Sequence, residues 1–375
     1  MSLFGLFRRR GESLDQLSKK LNSMAAQLQA QIRDLESQRS QLEGVLEGMS
    51  EGVLVEGPGG EILLINPAAR SILDIKEVPP GARSGDLIRH PVLREMIGRV
   101  RSEGRPQSQD LTLYSPSERH LRVRGDACRS TAGPAALLVF HDITDLKRLE
   151  NLRRDFVANV SHELKTPLTA IQGAVETLLG GALQDADRGK PFVESVAEEA
   201  GRLHRLVEDL LTLAQVESGQ GLKREPVSLR VFFQEETARH QKEAGARGVS
   251  LELEPVPPDL SLPADRGQLV QAVGNLLENA VKYNRPEGRV IVRVSINGRE
   301  CRIEVEDTGI GIPAEDLPRV FERFYRVDKG RSRESGGTGL GLSIVKHVAE
   351  AHGGSVQVES RPGTGSRFTL ILPLQ

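Results

Sequence analysis

Apolar residues recur at every seventh position near the start of the chain, at Leu14, Leu21, Leu28, Leu35, Leu42 and Met49, with Leu17, Met24 and Val45 on the companion positions. That spacing predicts a long helix whose seam pairs with a second copy in a parallel coiled coil. Gln31 and Gln38 fill the remaining seam positions, where polar groups restrict register and oligomeric state. A single amphipathic helix packed on its own chain is the alternative. The pattern then changes. Apolar runs at 52–55 and 61–65 flank Pro58-Gly59-Gly60 and predict a hairpin. Asn66-Pro67-Ala68-Ala69 predicts an Asn cap followed by Pro at the first helical position. Residues 111–114, 121–124 and 135–140 add three strand signals, which makes 48–142 an α+β unit.

From 146 to 179 the apolar residues step by three and four through Leu149, Leu152, Phe156, Val160, Leu164, Leu168, Ile171, Val175 and Leu178, one face of a helix. His162 lies about 200 degrees round from Val160 and Leu164, so the imidazole points away from that face. Pro167 removes one helical hydrogen bond just beyond it. After Gly180-Gly181 a second helix carries Phe192, Val196, Leu203, Leu206, Val207, Leu210 and Leu213, and two such hairpins build a four-helix bundle. Past Pro226 helical and strand patterns alternate to the end, predicting a separate α/β domain.

Charge narrows the function classes. Among 375 residues, 50 Lys and Arg face 52 Asp and Glu, a formal net charge of −2 with no basic footprint for nucleic acid. Cys128 and Cys301 lie in unrelated segments without metal-ligand spacing, which fits a reducing, cytoplasmic compartment. No run reaches the roughly 18 apolar residues of a membrane span. The short apolar start before Arg8, Arg9 and Arg10 reads as a frayed terminus, with peripheral contact to an anionic membrane face as the alternative.

The chemistry-bearing motifs come in two groups. The first is Ser161-His162-Glu163-Leu164-Lys165-Thr166-Pro167-Leu168, where a carboxylate adjoins an outward imidazole and Thr166 stands where a zinc protease helix would place a second histidine. The second comprises four clusters. In Asn275-Leu276-Leu277-Glu278-Asn279-Ala280-Val281-Lys282-Tyr283, two amides and an ammonium share one helix face. Asp307-Thr308-Gly309-Ile310-Gly311 closes a strand, with a carboxylate able to accept from an exocyclic amine. Gly336-Gly337-Thr338-Gly339-Leu340-Gly341-Leu342 leads into a helix, where free amides suit phosphate. Gly363-Thr364-Gly365-Ser366 alone would be a hairpin turn. Neither a Walker loop nor a dinucleotide fingerprint fits.

The box around His162 resembles the phosphoacceptor segment of two-component sensor histidine kinases. The four clusters, in order, resemble the GHKL ATP-binding domain, the Bergerat fold that those kinases share with type II topoisomerases, mismatch-repair ATPases and a class of chaperones. The Asn-Pro-Ala-Ala turn and the closing Asp142-Ile143-Thr144 resemble a PAS domain, a fold that often holds a small ligand. These resemblances imply a multidomain α and α+β chain: coiled coil at 1–47, PAS-like sensor at 48–142, dimerising phosphotransfer hairpin at 143–222, and ATP-binding α/β sandwich at 223–375. The order is most like the phosphate-responsive branch of the family.

By that resemblance His162 accepts the γ-phosphoryl group of ATP on a ring nitrogen, Glu163 binds or deprotonates the other nitrogen, and Thr166 orients water for regulator dephosphorylation. Asn279 holds Mg2+ with Asn275 one turn before it, Lys282 meets the phosphates, Tyr283 the base region and Asp307 the adenine amine. Gly309, Gly311, Gly337, Thr338, Gly339, Leu340 and Gly341 complete the nucleotide site, and Phe321 to Tyr325 precede a lid running to about Thr338. Hydrolysing relatives carry a Glu where this chain has Asn275, and a neutral amide is no base for water. The implied partners are a second copy and a response regulator whose aspartate takes the phosphoryl group. A scaffold that binds ATP without self-labelling, and an ATPase acting on DNA or client proteins, are the competing readings.

Overall fold

The computed structural model describes residues 3–115, 117–130, 133–217, 221–327 and 337–374, with side chains from Lys20 onward apart from residue 186. The seam positions Leu14 and Leu17, the basic start and most of the lid lie outside those side chains. The chain divides into two compact units, Met1–Arg153 and Arg154–Gln375.

In the first unit, helix α1 (Leu3–Gly48) leads into a five-stranded antiparallel sheet. Its strands are β1 (Gly52–Glu56), β2 (Ile62–Ile65), β3 (Gln107–Leu113), β4 (Arg119–Ser130) and β5 (Gly133–Asp142), in the order β2-β1-β5-β4-β3. The strands outrun their apolar signals because β4 pairs with β5 from Leu121–Asp142 to Ser130–Gly133, carrying polar ends along with the ladder. Helices α2 (Pro67–Leu73), α3 (Ser84–Leu87) and α4 (Pro91–Glu103) join the strands. Leu93, Met96, Ile97 and Val100 bury one face of α4 with Leu54, Leu121, Val123 and Phe140.

Asn66 is the node of this unit. Its Oδ1 accepts from the amides of Val53 (2.8 Å) and Ala69 (2.9 Å), while Nδ2 donates to the carbonyls of Leu46 (3.2 Å) and Glu51 (2.8 Å). One side chain thus caps α2, pins β1 and ties down the end of α1. The buried Glu56 carboxylate is held by Ser84 and, at 3.0 Å, by Arg101, which answers the charge that burial would otherwise leave unpaired.

The second unit begins within α5 (Thr144–Leu179), which continues through Pro167. A 3-10 turn at Ala182–Gln184 returns the chain into α6 (Ala186–Glu217). Leu206, Leu213 and Val216 of α6 join the core of the following α/β layer, as the apolar period requires. The face of α5 is buried only in part. Ala174 and Leu178 are covered, whereas Leu149, Leu152 and Leu168 are 64, 65 and 60% exposed, because a hairpin of two helices has no third element to cover them.

Beyond α6, β6 (Glu225–Ser228) pairs with β8 (Ser261–Ala264). The main sheet contains β7 (Ser250–Leu253), β9 (Arg289–Asn297), β10 (Glu300–Asp307), β11 (Ser355–Arg361) and β12 (Gly365–Pro373), in the order β11-β12-β10-β9-β7, with only β7 and β9 parallel. Helices α7 (Leu229–Ala246), α8 (Arg266–Lys282) and α9 (Gly341–Ala351) complete the layer. The period of α8 buries Leu269, Ala272, Val273, Leu276, Leu277, Ala280 and Val281, leaving the opposite face for polar residues. Among the described residues no helix is long and apolar enough to cross a membrane.

Candidate active site

Two polar side chains, Asp265 and His352, fix the start of α8. The Asp265 carboxylate caps its start by accepting from the Gln268 amide at 3.1 Å. His352, just past α9, is buried; Nε2 accepts from the Asp265 amide at 3.0 Å and Nδ1 donates to the Val348 carbonyl at 2.8 Å. That pairing requires the neutral ring, and burial holds the imidazole below the usual histidine range. The helix carrying the amides and the helix opened by the Gly-rich turn are therefore fixed to one another.

The four clusters meet around this face. The amide of Ile310 donates to the Tyr283 carbonyl at 3.1 Å, and any Cβ on Gly309 would collide with that carbonyl, so the backbone can pass there only without a side chain. Gly311, at φ 70°, lies against the Arg361 backbone, and the Gly363 amide donates to the Ile310 carbonyl at 2.7 Å. A methyl on Gly337 would stand 2.8 Å from Lys282 Nζ, and one on Gly341 3.1 Å from Asn275 Oδ1. Gly339 abuts Phe324, whose amide donates to the Gly339 carbonyl at 2.9 Å. Leu340 is fully buried beneath this turn, and its amide donates to Thr338 Oγ1 at 3.3 Å.

Asp307 closes the far wall. One carboxylate oxygen, Oδ1, accepts from the amides of Gly309 (2.8 Å) and Ser366 (3.3 Å), which leaves Oδ2 available to an external donor. Burial raises the carboxyl to about 6, against those two amides, which pull it down. Lys282 is half-buried and its ammonium is lowered from the ordinary lysine value by lost water, with Glu278 opposing the shift. Asn275 Nδ2 is buried with no partner among the described residues, a donor waiting for an acceptor. Asn279 lies one turn further along the same helix, between Asn275 and Lys282. An unpaired amide, an ammonium, glycine-only walls and a half-free carboxylate fit a purine with a phosphate chain. The Asn279 side-chain carbonyl is an oxygen donor of the kind a magnesium ion accepts, and the described residues include no cluster of three His, Cys, Asp or Glu able to hold a metal.

His162 is exposed on α5, away from the half-buried Val160 and Leu164. The Thr166 hydroxyl donates to the His162 carbonyl at 3.2 Å. Glu163 turns from the imidazole to two guanidiniums, Arg326 at 3.1 Å and Arg202 at 3.4 Å. Around this pair the segment 321–327 touches the hairpin again: the Phe156 and Phe324 rings are 5.9 Å apart, and Arg323 pairs with Glu217. Thr338 Oγ1 donates to Asp209 Oδ2 of α6 at 2.7 Å. The sequence pattern does not single out Arg202, Asp209 or Arg326. Each is one polar position among many in its own segment, and its meaning lies in a distant partner.

The family model described as "His Kinase A (phospho-acceptor) domain" matches residues 152–219, and the one described as "Histidine kinase-, DNA gyrase B-, and HSP90-like ATPase" matches residues 264–375. The sensor protein kinase WalK of Staphylococcus aureus is 31% identical over 374 residues, which cover 97% of this chain and 88% of that protein. The chain belongs to the sensor histidine kinase family. WalK of Staphylococcus epidermidis is 32% identical over 374 residues, and there the match covers 97% of this chain and 60% of the relative's length. Several of the curated relatives are thus longer than this member of the family, which spans about 60% of their length. Among solved structures, histidine kinase ThkA in complex with response regulator protein TrrA aligns with a TM-score of 0.49 and 22% identity, covering 86% of this chain and 96% of that one.

Proposed function

We propose that this chain phosphorylates itself on His162 from ATP and passes the phosphoryl group to an aspartate of a response regulator. The observation that supports this most is the pairing, within one compact unit, of an exposed histidine on a helix and a pocket whose donors suit a nucleoside triphosphate. Asp307 Oδ2 accepts from the adenine amine, Tyr283 borders the base, and Lys282 with the amides of 337–341 takes the phosphate oxygens. Asn279, with Asn275 beside it, would hold a magnesium ion, which would neutralise phosphate charge. The lone pair of a His162 ring nitrogen attacks the γ-phosphorus as the bond to the β-phosphate oxygen breaks, leaving ADP. The proton on the other ring nitrogen passes to Glu163 once that carboxylate is freed from Arg202 and Arg326. Positioning and charge neutralisation supply most of the rate, since such transition states are loose.

Two identical chains act together in this reading. Leu21, Met24, Leu28, Leu35, Leu42 and Val45 stay exposed along α1, and Leu149 and Leu152 along α5, which supports a coiled coil continued into a dimeric bundle. The 48–142 unit is read as a PAS-like sensor, open to a small ligand or signalling protein, and the α/β layer as a Bergerat sandwich. Thr166 orients water when the regulator is dephosphorylated; Thr166→Ala should keep self-labelling and lose that hydrolysis. Incubation with γ-labelled Mg-ATP tests the main proposal: label should accumulate on the protein with little sustained release of phosphate. Many turnovers of phosphate release with no labelled protein would overturn it in favour of an ATPase.

A further inference from the structure

Helix α6 sends one acid into the rim of the nucleotide pocket. Asp209 Oδ2 takes the hydroxyl proton of Thr338 at 2.7 Å, and burial raises this carboxyl above its ordinary value, with Glu278 and Glu208 pushing the same way. Thr338 adjoins Gly337, whose added methyl would lie 2.8 Å from Lys282 Nζ. The residue held by α6 therefore directly follows the one that closes on the ammonium assigned to the phosphates, within the Gly-rich turn. Its hydroxyl has a single proton to give, and a carboxylate and a polyphosphate cannot both receive it. They also repel each other, because both are anionic and the site is partly stripped of water.

This contact does not stand alone. Arg326 and Arg202 close on Glu163, the Phe324 ring meets Phe156 at a tilt, and Arg323 pairs with Glu217. Residues 323–326 are thus fastened to both helices of the hairpin, and Thr338 is fastened to α6. The same fastening that occupies Thr338 keeps Glu163 on arginines rather than on His162.

We propose that Asp209 is an autoinhibitory acceptor: docked on α6, Thr338 is withheld from nucleotide phosphate, so ATP and the docked arrangement exclude one another at this hydroxyl. The inference rests on the kinase reading of the pocket and adds its regulation. Any input that shifts α6 away from Thr338 raises affinity for ATP, and by reciprocity bound ATP loosens the hairpin from the nucleotide layer.

The test compares the full chain with Asp209→Asn and Asp209→Ala by calorimetric titration with the magnesium complex of the β,γ-imido analogue of ATP, and with adenosine. Asp209→Ala should tighten binding of the triphosphate roughly tenfold, the scale of one charge-assisted hydrogen bond. Asp209→Asn keeps an acceptor in place and removes the charge, so its gain should be smaller, about threefold. Adenosine, which has no phosphate, should bind all three proteins equally. Thermal unfolding of each variant confirms that the fold is kept. Unchanged or weaker triphosphate binding in both variants overturns the proposal while leaving the kinase reading intact. An equal gain for adenosine also overturns it, by showing a general loosening of the pocket. A wild-type chain that binds neither probe defeats the nucleotide reading itself, and the proposal with it.

Discussion

His162 and Asp307, the two chemical poles of the second unit, are built in opposite ways. His162 lies open on a helix, and its neighbour Glu163 is engaged by Arg202 and Arg326. Asp307 is buried at the end of a strand, held by two backbone amides, with its carboxyl raised to about 6. A group that must be reached by two partners in turn gains nothing from a rigid, dry pocket. In the proposed reading, a group that recognises a base by one hydrogen bond gains selectivity from being dry, and burial of its carboxyl carries a stability penalty. If the proposed roles hold, stability is spent at the donor pocket and conserved at the acceptor.

The largest effect should come from the wall beside Asp307. Gly309→Val drives a branched side chain into the Tyr283 carbonyl and should abolish nucleotide binding in a titration, while His162 stays exposed and the chain still folds with its α5–α6 hairpin. Retained binding would show that this wall does not line the pocket.

Asp307→Asn should move stability and nucleotide affinity in opposite directions at the buried pole. A native carboxyl at about 6 against an ordinary 3.8 means that the folded state holds its proton more tightly, so stability falls as pH rises from about 4 to 6 and stays lower above it. The difference corresponds to about 3 kcal/mol at neutral pH. The Asn variant should therefore melt at higher temperature near pH 7 than wild type, yet bind the triphosphate analogue roughly 100-fold more weakly, because the amide can offer the adenine amine a donor instead of an acceptor. In wild type, nucleotide affinity should drop below pH 6 as Asp307 protonates. A variant that loses stability and keeps affinity would place the base elsewhere.

Glu163→Gln is expected to slow self-labelling about 100-fold without loss of fold, the lower end of what removal of a positioned base costs. Unchanged labelling would remove Glu163 from the chemistry and leave it only its arginine contacts. The smallest effect concerns His352. Its folded pKa is depressed, so the unfolded chain binds the extra proton first, and stability is present above about 6.5 and declines below it. His352→Gln should flatten that decline in pH-dependent melting while costing about 1 kcal/mol at neutral pH.

What was legible in the sequence was local. The cap at Asn66, the outward turn of His162 and the common face of Asn275, Asn279 and Lys282 each follow from spacing within one element, and helical periodicity orders them. The four glycine or amide clusters could be read in order because each is a backbone requirement stated by its own residues. The fastening of the hairpin could not. Glu163 meets Arg326 across 163 residues and Asp209 meets Thr338 across 129, and nothing at either end marks the other. The exposure of Leu149, Leu152 and Leu168 was hidden for a related reason: periodicity names an apolar face without saying which chain covers it. Likewise the Glu56, Ser84 and Arg101 cluster is visible only once β1, α3 and α4 are brought together.

The central claim is that His162 receives the phosphoryl group from a nucleotide held at Asp307. Wild type and His162→Ala, both verified to bind the triphosphate analogue, are incubated with γ-labelled Mg-ATP, and the labelled protein is treated with acid and with alkali. The account predicts label on wild type that is lost in acid, survives alkali and is absent from His162→Ala. Equal labelling of the variant, or acid-stable label on both, would contradict it.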